Sequence, residues 1–220
     1  MNDLAVLQPY TQNMKIAIIG AGMIGATMAR LLVRAGHDVA ITNRSGAASL
    51  RELLDELGTK ARWTTTEDAS RWADAILLAV PWRDPAALPS PESVAGKIVI
   101  DAMNPYKAGG GIYDLADSTS SEETRKRLPG ARIVKAFNTI YFQHLATQGR
   151  PDLPEEDRRA IFIAGDDQDA KTFVEQLIRE IGFAPVDMGS LRDGKKQEPD
   201  TPVYNRVLDK KQALDVLRRM

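Results

Sequence analysis

The stretch KIAIIGAGMIGATMARLLVRAGHDVAIT, residues 15–42, constrains the fold more than any other part of the chain. Lys15 to Ile19 is a nearly unbroken apolar run, as expected of a strand covered on both faces. It leads into Gly20-Ala21-Gly22-Met23-Ile24-Gly25, after which Ile24, Met28, Leu31 and Leu32 recur at helical spacing up to Ala35. A second apolar run, Asp38 to Thr42, follows the Gly36-His37 turn. Strand, glycine turn, helix and strand in under 30 residues leave room for little except a parallel βαβ unit.

The same alternation continues downstream. Further strands are predicted at Ala61 to Trp63, Ala75 to Val80, Lys97 to Asp101, Ile133 to Ala136, Ala160 to Ala164 and Ala184 to Asp187. A second strong helix is predicted over Asp167 to Ile181, with Gly182 placed to cap it. Repeated βα units indicate an α/β fold, a doubly wound Rossmann-type sheet that is mainly parallel. One such domain fits residues 15–188, leaving an N-terminal extension at 1–14 and a C-terminal tail at 189–220. The tail reads as polar from Gly189 to Pro202, with one short helix over Lys210 to Arg218. It is too short for the helical substrate domain, roughly 100 residues or more, that many dinucleotide enzymes append.

Composition narrows the functional classes. The net charge is −1 with no basic stripe, so nucleic acid is not an expected partner. There is no cysteine, which excludes disulfides, thiolate metal sites and a cysteine nucleophile. No apolar run approaches the ~18 residues of a membrane span, and the first thirteen residues lack a signal-peptide pattern. A cytoplasmic protein is the expectation.

The glycine run meets the contextual test for a dinucleotide loop, because it follows a buried strand and opens a helix. Gly20 permits the tight turn, Gly22 lets the backbone approach a pyrophosphate, and Gly25 lets helix and strand pack closely. The amides of Met23 and Ile24 would face the phosphates at the positive end of the helix dipole. In such units the second strand usually ends in Asp or Glu, which binds the ribose hydroxyls of NAD. Here it ends in Asn43-Arg44-Ser45. Arg44 offers a permanently charged, forked donor, with Asn43 and Ser45 as short neutral donors beside it. A cation in place of the acid selects NADP(H), whose 2′-phosphate it can bind. Asp38 is no substitute, because it stands at the other end of the strand.

Three further motifs fall at strand ends: AILLAVPW from Ala75, IVIDAMNPY from Ile98 and IVKAFNTI from Ile133. Together with GDDQDAK from Gly165 and PVDMGSL from Pro185, the series resembles the deazaflavin-dependent NADP oxidoreductases. These exchange hydride between NADP(H) and the deazaflavin coenzyme factor 420. The same motifs occur in the NADPH-binding domain of six-transmembrane ferric reductases. The resemblance runs from Lys15 to about Leu191. It implies that Gly20 to Gly25 hold the pyrophosphate and that Asn43, Arg44 and Ser45 hold the 2′-phosphate. It places Ala79, Val80 and Pro81 beside the nicotinamide. Asn104 and the turn Ala136-Phe137-Asn138-Thr139 would form the far wall.

Two departures bear on the acceptor. Asn138 stands where the archaeal deazaflavin enzymes carry a His that helps hold the deazaflavin. The tail TPVYNRVL also differs from their apolar tail. FMN, FAD and the deazaflavin are all candidate acceptors beside NADP(H), and no tightly bound flavin is expected in an open crevice. A homodimer acting on a small-molecule redox acceptor is the expected form. The alternatives are reduction of a small organic substrate without a second cofactor, and an NADP(H)-sensing or partner-regulating module without turnover.

Other reactive groups are few. His37, in the turn before the second strand, is predicted to be exposed. His144 could reach the crevice, although a lone His is more often structural. The carboxylates Asp166-Asp167 and Glu155-Glu156-Asp157 fall at helix starts or in loops, where they complement helix dipoles, and no metal site is expected.

Overall fold

A computed structural model describes residues 13–220. The expectations for the N-terminal extension and for the absence of a signal peptide fall mostly on residues 1–12, outside the described residues. Eight strands form one sheet: β1 (Lys15–Ile19), β2 (Asp38–Thr42), β3 (Ala61–Trp63), β4 (Ala75–Leu78), β5 (Ile98–Asp101), β6 (Arg132–Ala136), β7 (Ala160–Gly165) and β8 (Ala184–Asp187). Their order is β3-β2-β1-β4-β5-β6-β7-β8, the doubly wound Rossmann arrangement with two strands added at one edge.

β1 to β6 are parallel, so the loops that follow them gather along one edge of the sheet. Strand order reverses between β1 and β4, and a crevice for a ligand opens there. β7 breaks the pattern by pairing antiparallel to β6, with Val134 opposite Gly165 and Ala136 opposite Ile163. β8 then runs parallel to β7. All six residues of β7 are buried, and a strand covered on both faces reads the same in either direction. Its apolar run therefore carries no information about polarity.

One face of the sheet is covered by α1 (Met23–Arg34), α2 (Arg51–Leu57), α6 (Phe142–Thr147) and α7 (Gln168–Glu180). They enclose a core containing Ile18, Met28, Leu32, Phe137, Val174 and Ile178. On the other face lie α3 (Thr66–Trp72), α4 (Pro91–Val94) and α5 (Ser120–Arg127), over Ile76, Val99 and Trp82. α7 begins where expected, with the Asp167 side chain accepting the Ala170 N–H, and ends before Gly182 at φ +85°.

The C-terminal segment belongs to the same body. From β8 the chain returns beside β6 and β7 as a 3₁₀ turn, Leu191–Gln197, in which Gly194 packs against Lys135 and Ala164. It then crosses the strand ends, where Gln197 and Val203 are fully buried. α8 (Lys210–Leu217) finally seats Ala213, Val216 and Leu217 against Phe162, Ala164 and Val186. The tail is thus less polar in its contacts than its composition suggests.

His37 corrects an expectation. Only 3% exposed, its ring sits with Nε2 2.9 Å from Glu180 Oε2, and Nδ1 accepts the Met14 N–H. The turn that holds it lies under the N-terminal lead-in and the end of α7. A helix 143 residues away in sequence supplies the cover, and a local reading cannot see it.

Candidate active site

The glycine loop has the geometry its spacing predicts. Gly20 has φ +105°, and a Cβ there would lie 2.6 Å from the Ala79 carbonyl oxygen. At Gly25 a Cβ would lie 1.8 Å from the Gly20 carbonyl oxygen, so the first turn of α1 can approach β1 only without a side chain. A Cβ at Gly22 would meet nothing within 4 Å. Gly22 is the N-cap of α1 and supplies no side-chain acceptor. The amides of Met23, Ile24 and Gly25 therefore have neither an intrahelical nor a capping partner.

Two cavities flank this loop. The first, about 500 Å³, lies between β1, the end of β2 and the loop after β4, within the usual range for small-molecule sites. Gly20, Ala21, Gly22, Asn43, Arg44 and Ser45 line it, as do Ala79, Val80 and Pro81. Arg44 is exposed over 82% of its side chain and reaches across to Asp84, with Nη1 3.0 Å from Oδ2. Asn43 is less available than its sequence position implies. Its carbonyl oxygen accepts from Trp63 Nε1 at 3.1 Å, and its amide donates to Ser49 Oγ at 2.6 Å.

The second cavity, about 180 Å³, opens on the other side of Met23 and Ile24, over the ends of β5 and β6. Asn104, Phe137, Asn138 and Tyr141 line it together with Tyr204 and Asn205 from the tail. Ala79, Val80 and Pro81 line the first cavity with Arg44 and are absent from this wall. Ala136 lines neither cavity and is fully buried in β6. His144 also lines neither.

Asn138 is a clasp. Its side-chain amide donates to the Gln197 backbone carbonyl at 2.7 Å and to Asn104 Oδ1 at 3.1 Å, and its backbone carbonyl accepts from Asn104 Nδ2 at 3.0 Å. Only 4% of the residue is exposed. Thr139 adds a backbone link, accepting the Asn205 N–H at 3.0 Å.

Beneath the Ala102–Asn104 turn lies a charged group that pattern reading missed. Lys135 is fully buried, and its ammonium donates to Ser120 Oγ at 2.8 Å and to the Met103 carbonyl at 3.2 Å. Asp101 accepts the Met103 N–H and the Ser121 hydroxyl, while Glu198 of the tail accepts the Ser120 N–H. Burial pushes the Lys135 ammonium down, and Asp101 and Glu198 pull it back up. A lysine inside an otherwise apolar strand was the available signal. The network fixes the turn beside the second cavity and pins the tail to it.

A family model described as NADP oxidoreductase coenzyme F420-dependent matches residues 15–105, which include every residue lining the first cavity. The crystal structure of a hypothetical protein from Sinorhizobium meliloti is 32% identical with a TM-score of 0.78, covering 91% of this chain and 98% of that one. A candidate F420-dependent NADP-reductase from Arthrobacter sp. FB24 is 26% identical with a TM-score of 0.72, covering 84% and 88%. Residues 15–105 of the chain belong to the coenzyme F420-dependent NADP oxidoreductase family.

Within this NADP-dependent oxidoreductase family, the chain is also related to metalloreductases. It is 30% identical to metalloreductase STEAP3 of Rattus norvegicus over 186 residues, 84% of this chain and 36% of that protein. It therefore spans about a third of the length of the curated relatives it matches. Among the described residues, no helix is long and apolar enough to cross a membrane, and no cluster of His, Asp and Glu could hold a metal ion.

Proposed function

We propose that the chain binds NADP(H) across both cavities and exchanges a hydride with a flavin or deazaflavin ring. The observation that carries this reading is the cationic end of β2, facing an anion-receptive loop across one cavity. Unpartnered α1 amides suit a pyrophosphate, and the guanidinium of Arg44 suits a 2′-phosphate. Gly22 supports the fit, since the space its Cβ would enter is free of protein. The present partner of Arg44, Asp84, holds it in an exposed pair of the kind that contributes about 0–1 kcal/mol. A phosphate can displace such a partner at small cost.

Bound NADPH supplies the hydride. The chain's residues hold and orient the rings, and the second cavity, beyond Ile24, receives the nicotinamide end. At about 180 Å³ it is smaller than most small-molecule sites, so the acceptor ring must remain partly in solvent. That agrees with an acceptor that comes and goes.

Calorimetry with NADPH and NADH on the parent and Arg44→Ala proteins tests the cofactor assignment. A charge-assisted hydrogen bond contributes about 1.5–3 kcal/mol, so NADPH should weaken roughly 10- to 100-fold while NADH changes little. Equal weakening of both would remove Arg44 from the 2′-phosphate site. Anaerobic mixing of protein and NADPH with FMN, FAD and factor 420, followed by absorbance, tests the acceptor. Tight NADPH binding with no oxidation by any of them would favour a sensing module instead.

A further inference from the structure

The second cavity is not the wholly apolar crevice that hydride transfer alone requires. Tyr204 lines it, and the Tyr204 hydroxyl lies 2.8 Å from that of Tyr106. Asn104, in the same wall, donates from Nδ2 to the Tyr204 oxygen at 3.2 Å. Tyr106 is 39% exposed, so the pair links the cavity to solvent.

The backbone holds Tyr204 firmly in place. Val203 beside it is fully buried, the Tyr204 N–H donates to the Thr201 carbonyl, and the Asn205 N–H donates to the Thr139 carbonyl. Asn205 takes φ +54°, a left-handed conformation that Asn tolerates better than most residues. Burial, with the Tyr106 contact, pushes the Tyr204 hydroxyl well above the usual tyrosine range, so it stays protonated at neutral pH.

We propose that Tyr204 is the catalytic proton donor of the acceptor half-reaction, recharged through Tyr106, for a planar acceptor bearing a conjugated carbonyl. This rests on the hydride-transfer reading above and specifies what the acceptor side requires. The acceptor gains the hydride with its two electrons. As its carbonyl oxygen becomes basic, the Tyr204 O–H bond breaks and an O–H bond forms on the acceptor. The Asn104 amide steadies the tyrosinate. Tyr106 passes its own proton to Tyr204 and takes one from water. Net, NADPH, one proton and the acceptor become NADP⁺ and the doubly hydrogenated acceptor.

The test compares the parent, Tyr204→Phe and Tyr106→Phe proteins with menadione and FMN as acceptors, in H₂O and D₂O. NADPH affinity and the affinity of NADP⁺-loaded protein for FMN are measured in parallel. A positioned general acid contributes about 100-fold or more, so Tyr204→Phe should cut turnover by about that factor and bring the solvent isotope effect close to one. NADPH affinity should hold within about twofold, and FMN affinity should fall by no more than about tenfold, the worth of one hydrogen bond. Tyr106→Phe should lose less. Unchanged turnover and isotope effect in Tyr204→Phe would overturn the assignment, as would a loss of NADPH affinity that parallels the loss of rate. A parent protein that binds NADPH tightly but oxidises it with neither menadione nor FMN would overturn the hydride-transfer reading itself, and the donor role with it.

Discussion

Gly22 and Gly25 stand three residues apart in one loop, and the structure gives a methyl group at each opposite consequences. At Gly25 the added carbon would sit 1.8 Å from a backbone oxygen of Gly20, more than an ångström inside any tolerable contact. Neither partner is the end of a flexible side chain, so α1 must move off β1. Overpacking of this kind costs about 1–3 kcal/mol, against a gain of about 1 kcal/mol for Ala over Gly in a helix. The 1.8 Å approach to backbone puts Gly25 at the upper end of that cost. The net loss is then about 2 kcal/mol, which lowers Tm by roughly 4 °C for a chain of this length at an unfolding entropy near 2.1 cal/mol/K per residue. At Gly22 the methyl meets no protein atom, and φ −72° suits any residue. Ala is a poorer N-cap than Gly but restricts the unfolded chain more, so the two small terms nearly cancel.

Binding reverses the order of harm. The Gly22 methyl occupies the space assigned to the pyrophosphate and separates it from the α1 amides. Losing one or two charge-assisted hydrogen bonds weakens NADPH at least 10- to 100-fold, and NADH equally, since both carry the pyrophosphate. The bulkier Gly22→Val should abolish binding of both. Thermal unfolding and NADPH titration of Gly22→Ala and Gly25→Ala give the comparison. A folded Gly22→Ala protein with the parent's NADPH affinity would refute the assigned pose, and a Gly25→Ala protein with unchanged Tm would refute the packing argument.

Two further outcomes follow from the charges. Lys135→Met takes the donor away from Ser120 Oγ and from the Met103 carbonyl; a buried polar group left unsatisfied costs about 1–3 kcal/mol, so Tm should fall by roughly 2–6 °C, and an unchanged Tm would show that the network is dispensable. Asp167 is held at about 2 by the Arg132 guanidinium and then by the Ala170 N–H, below its ordinary value of 3.8. Because its folded value is depressed, its stabilisation is complete above about pH 4 and disappears as the pH falls towards 2. Asp167→Asn should therefore lower Tm at pH 7 and converge with the parent near pH 2, and an equal gap at both pH values would exclude this linkage.

What was legible in the sequence was what local periodicity and chemistry encode. β1, the glycine turn, α1 and the cation at the end of β2 all lie within 30 residues, and each emerged where spacing placed it. Contacts made by distant segments were not legible. Asn43 reads as a free donor until Trp63 and Ser49 take its amide group. His37 reads as a loop residue until Glu180 covers it. The direction of β7 is invisible because all six of its residues are buried. Tyr204 stood in plain view in TPVYNRVL, yet only the fold brings it within 2.8 Å of Tyr106, 98 positions earlier.

The crossing of the tail over the strand ends has a consequence for engineering. The first cavity is built entirely from residues 19–87, whereas Tyr204 and Asn205 reach the second from a segment that follows the completed sheet. Its fastenings outside Tyr204 include the Asn138 amide on Gln197, the Thr139 carbonyl on Asn205, the Glu198 carboxylate on Ser120 and the Arg159 guanidinium on the Arg206 carbonyl. A replacement for residues 199–207 that preserves those anchors can exchange the acceptor wall and leave the dinucleotide half untouched. Cofactor preference and acceptor preference can then be selected in separate libraries, one centred on residues 43–45 and the other on the crossing segment.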